Sequence, residues 1–412
     1  MDRISPAISL AEYSERRQKV LDSLEGAAAV VFGGADPGSD YPQGRWKTNR
    51  SFWYLTGIEH ESGAAVLFDP SAEDPDRRVM LLLRPRDPEV ERWDGPRSPL
   101  DSALKARTGF ASVARSTSLP ARLTDAAGRT KRLACLHPFT PYTTEPSPDL
   151  TVFNKVRDHV PGITIEDRTQ LLPSMRAVKS AAELSLMGRA VSVTAAGFAA
   201  AMRFIRPGVY EQAVADVITE RFRAEGCEAA FEPIVGSGPN GAVLHYVDLD
   251  RTIGEGDLVV IDYAAAYAGY ASDVTRTFPA SGTFGPEQRR MYEVVLEANL
   301  AAMATAKPGV TMSEVHKAAV TVIRDAGYED MFIHGIGHQL GIETHDVTPD
   351  GPLVPGMVVT IEPGIYLPDQ GVGIRIEDDI LVTETGNVNL TAGIPKLVDD
   401  VEAAMAARQE GC

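Results

Sequence analysis

Three of the eight histidines of the chain lie in one short stretch, HGIGHQLGIETHD, as His334, His338 and His345. Imidazole groups clustered beside acidic residues are typical of a metal site or of a site that moves protons. The stretch is not the HExxH motif of helical zinc proteases, because its glycines disfavour a helix and the central glutamate is missing. In an extended segment His334 and His338 project to the same face, so one could bind a metal while the other contacts a substrate.

Carboxylates end two strand patterns, and the first pattern belongs to the segment LVVIDYAAAYAGYASDVTRTF. If its turn is centred between Tyr267 and Ala268, Asp262 faces Asp273 across an antiparallel pair. Directly opposed residues have Cβ atoms roughly 5 Å apart. Two carboxylates at this distance repel each other, and a pKa rises unless a cation lies between them. The pattern therefore predicts a cation beside Asp262 and Asp273.

The second strand pattern, MVVTIEPGIYLPDQGVGIRIEDDI, repeats the arrangement. A turn centred on Asp369–Gln370 sets Glu362 opposite Glu377. Four carboxylates that face one spot are best accommodated by two divalent ions roughly 3.5–4 Å apart. Oxygen donors with one imidazole suit Mn²⁺, and Co²⁺ or Zn²⁺ could replace it. Other acidic residues lack this symmetry, and we expect surface or supporting roles for Glu232, Glu343, Asp346, Asp378 and Asp379.

An internal repeat supplies the elements that must position these groups. The matching segments are RPGVYEQAVADVITERFRAEG (206–226) with KPGVTMSEVHKAAVTVIRDAG (307–327), and GDLVVID (256–262) with GMVVTIE (356–362). The strands match at an offset of 100 residues, which also sets His245 against His345. We therefore predict two copies of a helix-and-hairpin unit that pack about a pseudo-two-fold axis.

A glycine-rich segment imitates a dinucleotide-binding motif. GSGPNG (236–241) matches G-x-G-x-x-G, and Asp262 lies about twenty residues beyond it, as the ribose-binding acid of that motif does. Pro239 removes a backbone N–H that phosphate would need, and the following residues show no helical period. We predict that these glycines shape a loop that carries His245.

Length and pattern predict an α/β (α+β) protein of two domains. A chain of 412 residues exceeds one ordinary core. Residues 1–172 alternate short helices and strands, whereas residues 173–412 contain amphipathic helices followed by hairpins. In the first domain the predicted helix is RRQKVLDSLEG, and the predicted strands are AAAVVFGG, FWYLTGI, AAVLFDP and RRVMLLLRP.

Charge and composition exclude several classes of protein. The 57 acidic and 40 basic residues give a net charge of −17, which repels nucleic-acid backbones. No run approaches the roughly 20 apolar residues of a membrane span. The three cysteines are odd in number and widely spaced, which favours a reducing compartment over a disulfide framework. The first residues lack the apolar core of a signal peptide, so we expect a cytoplasmic protein.

Together these motifs resemble the pita-bread metallopeptidases, and within them the Xaa-Pro aminopeptidase (aminopeptidase P) and prolidase branch. The resemblance covers essentially the whole chain. The segments that carry it are SFWYLTGIEHESGAAVLF, GSGPNGAVLHY, VVIDYAAAYAGYASDVTRTF, HGIGHQLGIETHD, TIEPGIY and GIRIEDD. It implies a creatinase/prolidase-like α/β domain over residues 1–172 and a pita-bread catalytic domain over residues 173–412. The implied metal ligands are Asp262, Asp273, His338, Glu362 and Glu377.

The resemblance also implies a role for each site residue. By this resemblance, Asp273 and Glu377 would bridge two metal ions. Asp262 would be a further ligand of one ion, and His338 and Glu362 would be further ligands of the other. A hydroxide that bridges the ions would attack the scissile carbonyl. The other implied roles are proton transfer by Glu362, oxyanion stabilisation by His345, substrate binding by His245 and His334, and orientation of the ligands by Arg375. Trp53 is expected near the active site of a neighbouring subunit, as a substrate-binding residue.

The implied activity is hydrolysis of the Xaa-Pro bond at the N-terminus of peptides with proline at the second position. Related dipeptidases often carry an arginine after the third histidine, which can grip a free carboxylate. Residues 346–361, DVTPDGPLVPGMVVTI, contain no Lys or Arg, and this favours an aminopeptidase over a dipeptidase (prolidase). Metal-free amidinohydrolases such as creatinase and non-catalytic binding relatives share the fold but lose the ligands. A homodimer or higher homo-oligomer is expected.

Overall fold

The computed structural model describes residues 8–34 and 47–407, and the chain divides into two compact units between Arg176 and Ala177. The boundary predicted at Pro173 falls inside a helix, Leu171–Ala177. The helices of the first unit are α1 Leu10–Ser23, α2 Arg50–Thr56, α3 Pro88–Asp94, α4 Ser102–Thr108, α5 Leu119–Thr130, α6 Pro148–His159 and α7 Leu171–Ala177. Its strands are β1 Ala29–Phe32, β2 Ala65–Phe68, β3 Val79–Leu83, β4 Ser112–Arg115, β5 Arg132–Cys135 and β6 Thr164–Asp167.

The first unit is built on a mixed sheet. Strands β1, β2 and β3 pair in antiparallel order, and β4 joins β3 in parallel. Strands β5 and β6 pair in parallel, and a bridge from Ala28 to Leu133 links them to the β1 side. Apolar side chains of α5 and α6, such as Leu123 and Phe153, pack on the sheet as its core. This arrangement confirms the predicted α/β character of the N-terminal half.

One of the predicted strands is wrong. The segment FWYLTGI lies in helix α2 and its C-terminal cap, because strong helix-capping residues flank the apolar run. The Asn49 side chain accepts hydrogen bonds from the backbone N–H groups of Ser51 and Phe52. Gly57 then ends the helix in the left-handed conformation, at φ 69°. The other predicted elements of this half, the helix RRQKVLDSLEG and strands β1, β2 and β3, are confirmed.

The second unit contains long helices and four small sheets. Its helices are α8 Ala181–Phe204, α9 Glu211–Ala224, α10 Pro286–Thr305, α11 Met312–Asp325 and α12 Val398–Ala406. Its strands are β7 Glu228–Ala229, β8 Ile234–Ser237, β9 Leu258–Asp262, β10 Ala265–Tyr267, β11 Tyr270–Ala271, β12 Thr275–Pro279, β13 Val358–Ile361, β14 Gly364–Leu367, β15 Val372–Arg375, β16 Asp378–Val382 and β17 Asn387–Asn389. Helix α8 packs on α9 and helix α10 on α11, and one apolar core lies between these pairs and the sheets.

Helix α8 departs from the expectation that no segment is long and apolar enough to span a membrane. Its 24 residues pass that test by length and composition. More than half of the apolar stretch is buried inside the protein, however. At Gly197 a Cβ would lie 2.9 Å from the Ile218 side chain of α9, so the two helices are in close contact. These contacts are those of a core helix.

We call residues 206–279 the first copy of the repeat and residues 307–382 the second copy. In the first copy, β9 pairs with β8 on one side and with β12 on the other, which sets Asp262 opposite Thr275. The prediction that Asp262 faces Asp273 is therefore wrong. The two-residue turn of the intervening hairpin is formed by Ala268 and Gly269, both at positive φ (48° and 86°), as type I′ turns require. This turn is centred one residue later than predicted, which moves the register by two.

In the second copy the predicted register is confirmed. Ile361 pairs with Asp378 on one side, and Gly364 pairs with Arg375 on the other. Glu362 and Glu377 lie opposite each other in the gap between these two ladders. The two acids therefore lie opposite each other at a point where neither residue belongs to a regular β-ladder.

The glycine-rich segment 236–241 does not lead into an α-helix, as a dinucleotide-binding motif would. This agrees with the prediction that it is not a dinucleotide site. Strand β8 runs into a short 3₁₀ helix over residues 238–242. A Cβ on Gly373 of β15 would overlap the carbonyl oxygen of Gly241. A Cβ on Gly236 would lie 2.8 Å from the backbone of Asn240. These glycines allow backbones to approach each other, and they fix the start of the loop that carries His245.

Candidate metal centre

Three of the predicted ligands converge at the meeting point of the two copies. Ligand atoms of Asp273, His338 and Glu377 all lie within 4.8 Å of one another. The His338 Nε2 atom is 3.5 Å from an Asp273 carboxylate oxygen. The carboxylates are almost fully buried, with relative exposures of 4% for Asp273 and 1% for Glu377. The backbone N–H of Glu377 donates to the carbonyl of Thr275, which ties the two copies together beside the cluster.

The local backbone fixes the orientation of His338. Its N–H donates to the Thr360 hydroxyl and its carbonyl accepts from the Thr360 N–H. Its Nδ1 lies 3.0 Å from the carbonyl of Gln339, so Nδ1 carries the proton and Nε2 presents a lone pair to the acids. Burial lowers the pKa of His338 to about 4. The ring is therefore neutral at physiological pH, as metal ligation requires.

A glycine permits this approach of the histidine segment to β13. Gly337 has φ 152°, and a Cβ there would overlap the carbonyl oxygen of Thr360. Any side chain at this position would push the segment away from the strand. Glycine in HGIGH is therefore a packing requirement that places His338 among the carboxylates.

Glu362 and Asp262 flank the cluster. A Glu362 carboxylate oxygen lies 3.7 Å from His338 Nε2. Burial, together with the charge of Asp262, raises the pKa of Glu362 to about 7. Asp262 accepts a hydrogen bond of 2.8 Å from the Arg375 guanidinium through Oδ2. Its other oxygen, Oδ1, is buried and has no hydrogen-bond partner within the described part of the chain.

The electrostatics of the cluster call for added positive charge. Burial and the neighbouring carboxylates raise the pKa values of Asp273 and Glu377 well above their ordinary range. Arg375 is a cation beside the cluster, and it donates to the carboxylate of Asp262. Burial alone would lower the pKa of Arg375, but Tyr366, Asp262 and Glu362 raise it overall. Buried like charges at this density are unfavourable unless cations compensate them.

The residues present fit divalent metal ions. The donors are carboxylate oxygens and one neutral imidazole, a set that suits hard and borderline metals. The unpartnered Asp262 Oδ1 atom is a buried acceptor that a cation would satisfy. Each of the five predicted ligands therefore lies at the cluster or contacts a residue that lines it.

Arg375 and Tyr366 form a connection between the acids and His334. The Tyr366 hydroxyl lies 2.9 Å from Arg375 Nη1 and 2.9 Å from His334 Nε2. His334 Nδ1 lies 2.8 Å from the carbonyl of Gly335, and burial lowers the pKa of His334 to about 4. Sequence reasoning missed Tyr366. The signal was present, because alternation along TIEPGIY puts Tyr366 on the same strand face as Glu362.

Thr275 is a second residue that sequence reasoning missed. Its hydroxyl donates to a Glu377 carboxylate oxygen at 2.7 Å and accepts from Arg375 Nε at 3.1 Å. It is completely buried. Because one hydroxyl satisfies both a ligand and the arginine, Thr275 fixes the spacing between them.

The sequence predicted either surface or supporting roles for Asp378 and Asp379. Both residues are completely buried, so the surface alternative is wrong. Asp378 forms ion pairs with Arg276 at 2.9 Å and Lys396 at 2.6 Å. Burial would raise the pKa of Asp378, but these two cations lower it below the ordinary range. Asp379 accepts a hydrogen bond from the backbone N–H of Asp273. Both acids therefore support the ligand strands from behind.

The remaining predicted residues differ in how they relate to the cluster. The ring of His345 lies against that of His338, with centroids 4.1 Å apart and an interplanar angle of 68°. His245 is exposed on the segment after the 3₁₀ helix. Trp53 lies in helix α2 of the first unit with a relative exposure of 2%. Its contact with a neighbouring subunit stays a prediction.

Comparison with known proteins places this geometry in a family. Residues 185–384 match the model of Metallopeptidase family M24, and residues 13–134 match the model of the Aminopeptidase P, N-terminal domain. The Xaa-Pro aminopeptidase of Escherichia coli (strain K12) is 32% identical over 98% of this chain and 99% of its own length. The Xaa-Pro aminopeptidase of Haemophilus influenzae is 32% identical over 96% of this chain and 97% of its own length.

Solved structures agree with the sequence relatives. Aminopeptidase PepP of Pseudomonas aeruginosa superposes with a TM-score of 0.85 at 32% identity, covering 98% of this chain and 99% of that one. Zn-substituted E. coli aminopeptidase P in complex with product superposes with a TM-score of 0.84 at 31% identity, covering 97% and 99%. These likenesses confirm the predicted fold class, an N-terminal α/β domain followed by a pita-bread domain. The chain belongs to metallopeptidase family M24, in its Xaa-Pro aminopeptidase branch.

Proposed function

We propose that the protein is a dinuclear-metal aminopeptidase that hydrolyses the Xaa-Pro bond at the N-terminus of peptides. The observation that carries this proposal is the buried cluster of Asp273, His338 and Glu377 with Glu362 and Asp262 beside it. The relatives named as Xaa-Pro aminopeptidases align over nearly the whole chain, which supports the same substrate class.

Five side chains would hold the two ions. They are Asp273, His338 and Glu377 in the cluster, with Glu362 and Asp262 beside it. When bound, the ions supply Lewis acidity, which activates water and polarises the scissile carbonyl. Mn²⁺ is the proposed metal, because oxygen donors predominate, and Co²⁺ or Zn²⁺ could replace it. Metal analysis of the purified protein tests this proposal, and two ions per chain is the expected result.

Glu362 is the proposed proton carrier. Its carboxylate lies at the edge of the cluster, 3.7 Å from His338, with part of the side chain accessible. The nitrogen of a Xaa-Pro bond carries no hydrogen, so it must receive a proton before proline can leave. A carboxylate that takes a proton from the attacking water and returns it to that nitrogen performs both steps at one position.

The histidines have separate proposed roles. Both ring nitrogens of His334 are already engaged, by Gly335 and Tyr366, so His334 offers a neutral ring face against which proline can pack. His345 is exposed beside His338 and can donate to the oxyanion. His245 is proposed to contact the substrate backbone. Arg375 does not need to touch the substrate, because it orients Asp262 and Tyr366.

The decisive assay compares three substrates with added Mn²⁺: the dipeptide Ala-Pro, a Xaa-Pro tripeptide and a longer Xaa-Pro peptide. We expect cleavage of the tripeptide and the longer peptide. Hydrolysis of the dipeptide alone would replace the proposal with a dipeptidase, and a protein without stoichiometric metal would point to the metal-free amidinohydrolases or binding relatives. The absence of Lys and Arg from residues 346–361 supports the aminopeptidase.

Cellular location and assembly belong to the same proposal. Cys135 and Cys227 are buried free thiols, which is compatible with a reducing cytoplasm. A homodimer or higher homo-oligomer is proposed, and light scattering of the purified protein measures it. No nucleic-acid or membrane partner is proposed, and the net charge of −17 supports this for nucleic acid.

A further inference from the structure

Glu211, the first residue of helix α9, is a buried acid outside the metal cluster. Its carboxylate is completely buried. We call residues 237–251 the His245 loop, and among the residues that the structure describes, the hydrogen-bond partners of this carboxylate all lie in that loop. The donors are the Ser237 N–H at 2.6 Å, the Ser237 hydroxyl at 2.7 Å, the Asn240 amide at 3.2 Å and the Arg251 N–H at 3.0 Å, with the Tyr246 hydroxyl at 3.2 Å.

Physical chemistry explains why the charge is tolerated there. A buried carboxylate is stable when several N–H and O–H groups point at it, and a helix N-terminus adds a favourable dipole. The side chain of Arg251 does not bind Glu211; it donates to Ser237 at the start of the loop and to Asp257 beyond its end. The loop therefore closes around Glu211 at both of its ends, since Ser237 begins it and Arg251 ends it.

His245 lies between two residues that are held from opposite sides. The carbonyl of Leu244 accepts a hydrogen bond from Arg375 Nη2 at 3.4 Å. The hydroxyl of Tyr246 lies against Glu211 and also donates to Asp250. His245 itself is exposed. Its backbone is thus connected on one side to the arginine of the metal cluster and on the other side to Glu211.

We infer that Glu211 is a positioning residue for substrate binding, because it fixes the loop that presents His245. This inference rests on the proposed function, in which His245 contacts the substrate. Replacement of Glu211 by glutamine keeps the shape but puts an NH₂ group where two N–H donors and a hydroxyl now meet an oxygen. The loop would then lose its anchor, while the metal ligands keep their own contacts.

The second copy offers a matched control. Helix α11 also has an acid in its first turn, but there the Thr311 hydroxyl and the Glu314 carboxylate form a cap by binding each other's backbone N–H groups. This cap is exposed and local, and no hydrogen bond of the described chain links Glu314 to the segment 334–346. The substitution Glu314→Gln therefore removes a charge at an equivalent helix start without releasing a loop.

The first measurement is hydrogen–deuterium exchange of the metal-free protein. The amides of Ser237 and Arg251 donate directly to Glu211, so their exchange reports the contact without any assay of activity. We expect Glu211→Gln to accelerate exchange over residues 237–251 and to leave residues 334–346 unchanged, while Glu314→Gln matches the unsubstituted protein. Unchanged exchange over residues 237–251 would overturn the inference, even if the enzyme proves to have another activity.

The second measurement is a double-mutant cycle with Mn²⁺ and a Xaa-Pro tripeptide. We expect Glu211→Gln to lower kcat/KM by about tenfold or more, as small displacements of a substrate contact do. If Glu211 acts through His245, adding Glu211→Gln to His245→Ala causes no further loss. Losses that multiply would show a general structural effect and overturn the inference. If Glu211→Gln does not fold, Tyr246→Phe takes its place in both measurements under the same criteria.

Discussion

The two copies of the repeat share a backbone arrangement but place different side chains at equivalent positions. Asp262 in the first copy corresponds to Glu362 in the second; Asp262 is the last residue of a buried strand, and Glu362 directly follows one. Opposite Asp262 stands Thr275, whereas opposite Glu362 stands Glu377. The same position of the repeat therefore carries the hydroxyl of Thr275 in the first copy and the proposed ligand carboxylate of Glu377 in the second. The two side chains contact each other, since the Thr275 hydroxyl donates to Glu377.

Two residues earlier in each copy, the two copies carry side chains of opposite charge. Asp273 in the first copy corresponds to Arg375 in the second. Arg375 forms an ion pair with Asp262 of the first copy. The second copy thus adds a positive charge at the position where the first copy adds the negative charge of Asp273. The copies are thus complementary in charge, which two identical halves could not be.

A third pair explains why the single imidazole ligand comes from the second copy. The backbone of His338 is hydrogen-bonded to Thr360 of β13. The residue in the corresponding place of the first copy is Gly236, which pairs with Val260 of β9. A side chain at Gly236 would meet the backbone of Asn240, so the first copy has no room for a ligand there. The repeat fixes the positions of the backbone, and local packing decides which copy supplies each ligand.

The largest expected effect follows from removal of a ligand that only the second copy supplies. Glu377→Gln keeps the shape of the side chain but removes its charge from the centre of the cluster. We expect kcat/KM to fall by more than about a hundredfold, beyond the range of supporting residues, together with loss of bound metal. Elemental analysis and tripeptide hydrolysis measure both. Glu384→Gln, an exposed acid near the same strand, serves as the control.

The equivalent residue of the first copy should have a smaller effect. Thr275→Val preserves volume but removes the hydroxyl that joins Glu377 to Arg375. We expect a loss of metal affinity of about 10- to 100-fold, as for other residues that orient ligands. Metal titration measures it. Thr275→Ser keeps the hydroxyl and should retain most of the affinity, and equal losses in both variants would mean that the hydroxyl is not the specific cause of the effect.

The same comparison shows what the sequence could predict. The register of the second copy followed from its turn residues, because the short 3₁₀ segment Pro368–Gln370 closes the β14–β15 hairpin where the pattern places it. The register of the first copy could not be fixed in this way. Ala268 adopts positive φ there, a conformation that its residue type disfavours and that the surrounding hairpin imposes.

Buried polar groups were the other weakness of sequence reasoning. The ligand acids stood out because apolar strands precede them. The sequence left open whether Asp378 has a surface or a supporting role, because its partners, Arg276 and Lys396, are not neighbours in the sequence. Helix α2 was missed because its apolar composition concealed the Asn49 cap and the Gly57 stop, which are short-range signals. Periodicity identifies faces of elements, but pairing across the fold requires the structure.

A third prediction uses pH to sharpen the comparison, because the raised carboxyl pKa values involve both copies. The pKa of Glu362 is raised from 4.5 to about 7 without metal. Between these values the folded protein binds more protons than the unfolded chain, so the stability of the metal-free protein falls as pH rises. Metal binding must release those protons, so the affinity for Mn²⁺ rises over the same window.

Thermal unfolding with and without Mn²⁺ measures this linkage. We expect the increase in Tm caused by Mn²⁺ to be larger at pH 8 than at pH 5.5, by a few degrees (on the order of 1 kcal/mol). Glu362→Gln cannot release a proton at that position and should flatten the dependence. An increase in Tm that is independent of pH would mean that the carboxylates of the cluster are already ionised without metal.

The smallest effect is expected at the start of helix α11, because the two copies use the acid in the first turn of the helix differently. In the first copy Glu211 anchors the His245 loop, whereas in the second copy Thr311 and Glu314 cap only their own helix. Thr311→Ala removes one side-chain cap and should lower stability by about 1 kcal/mol. Because this cap contacts no ligand segment, kcat/KM and metal content should not change. Thermal unfolding measures the loss of stability, and tripeptide hydrolysis measures kcat/KM. A fall in kcat/KM of the folded variant would show that the start of helix α11 also positions the site. The two copies would then differ less in this respect than their hydrogen bonds indicate.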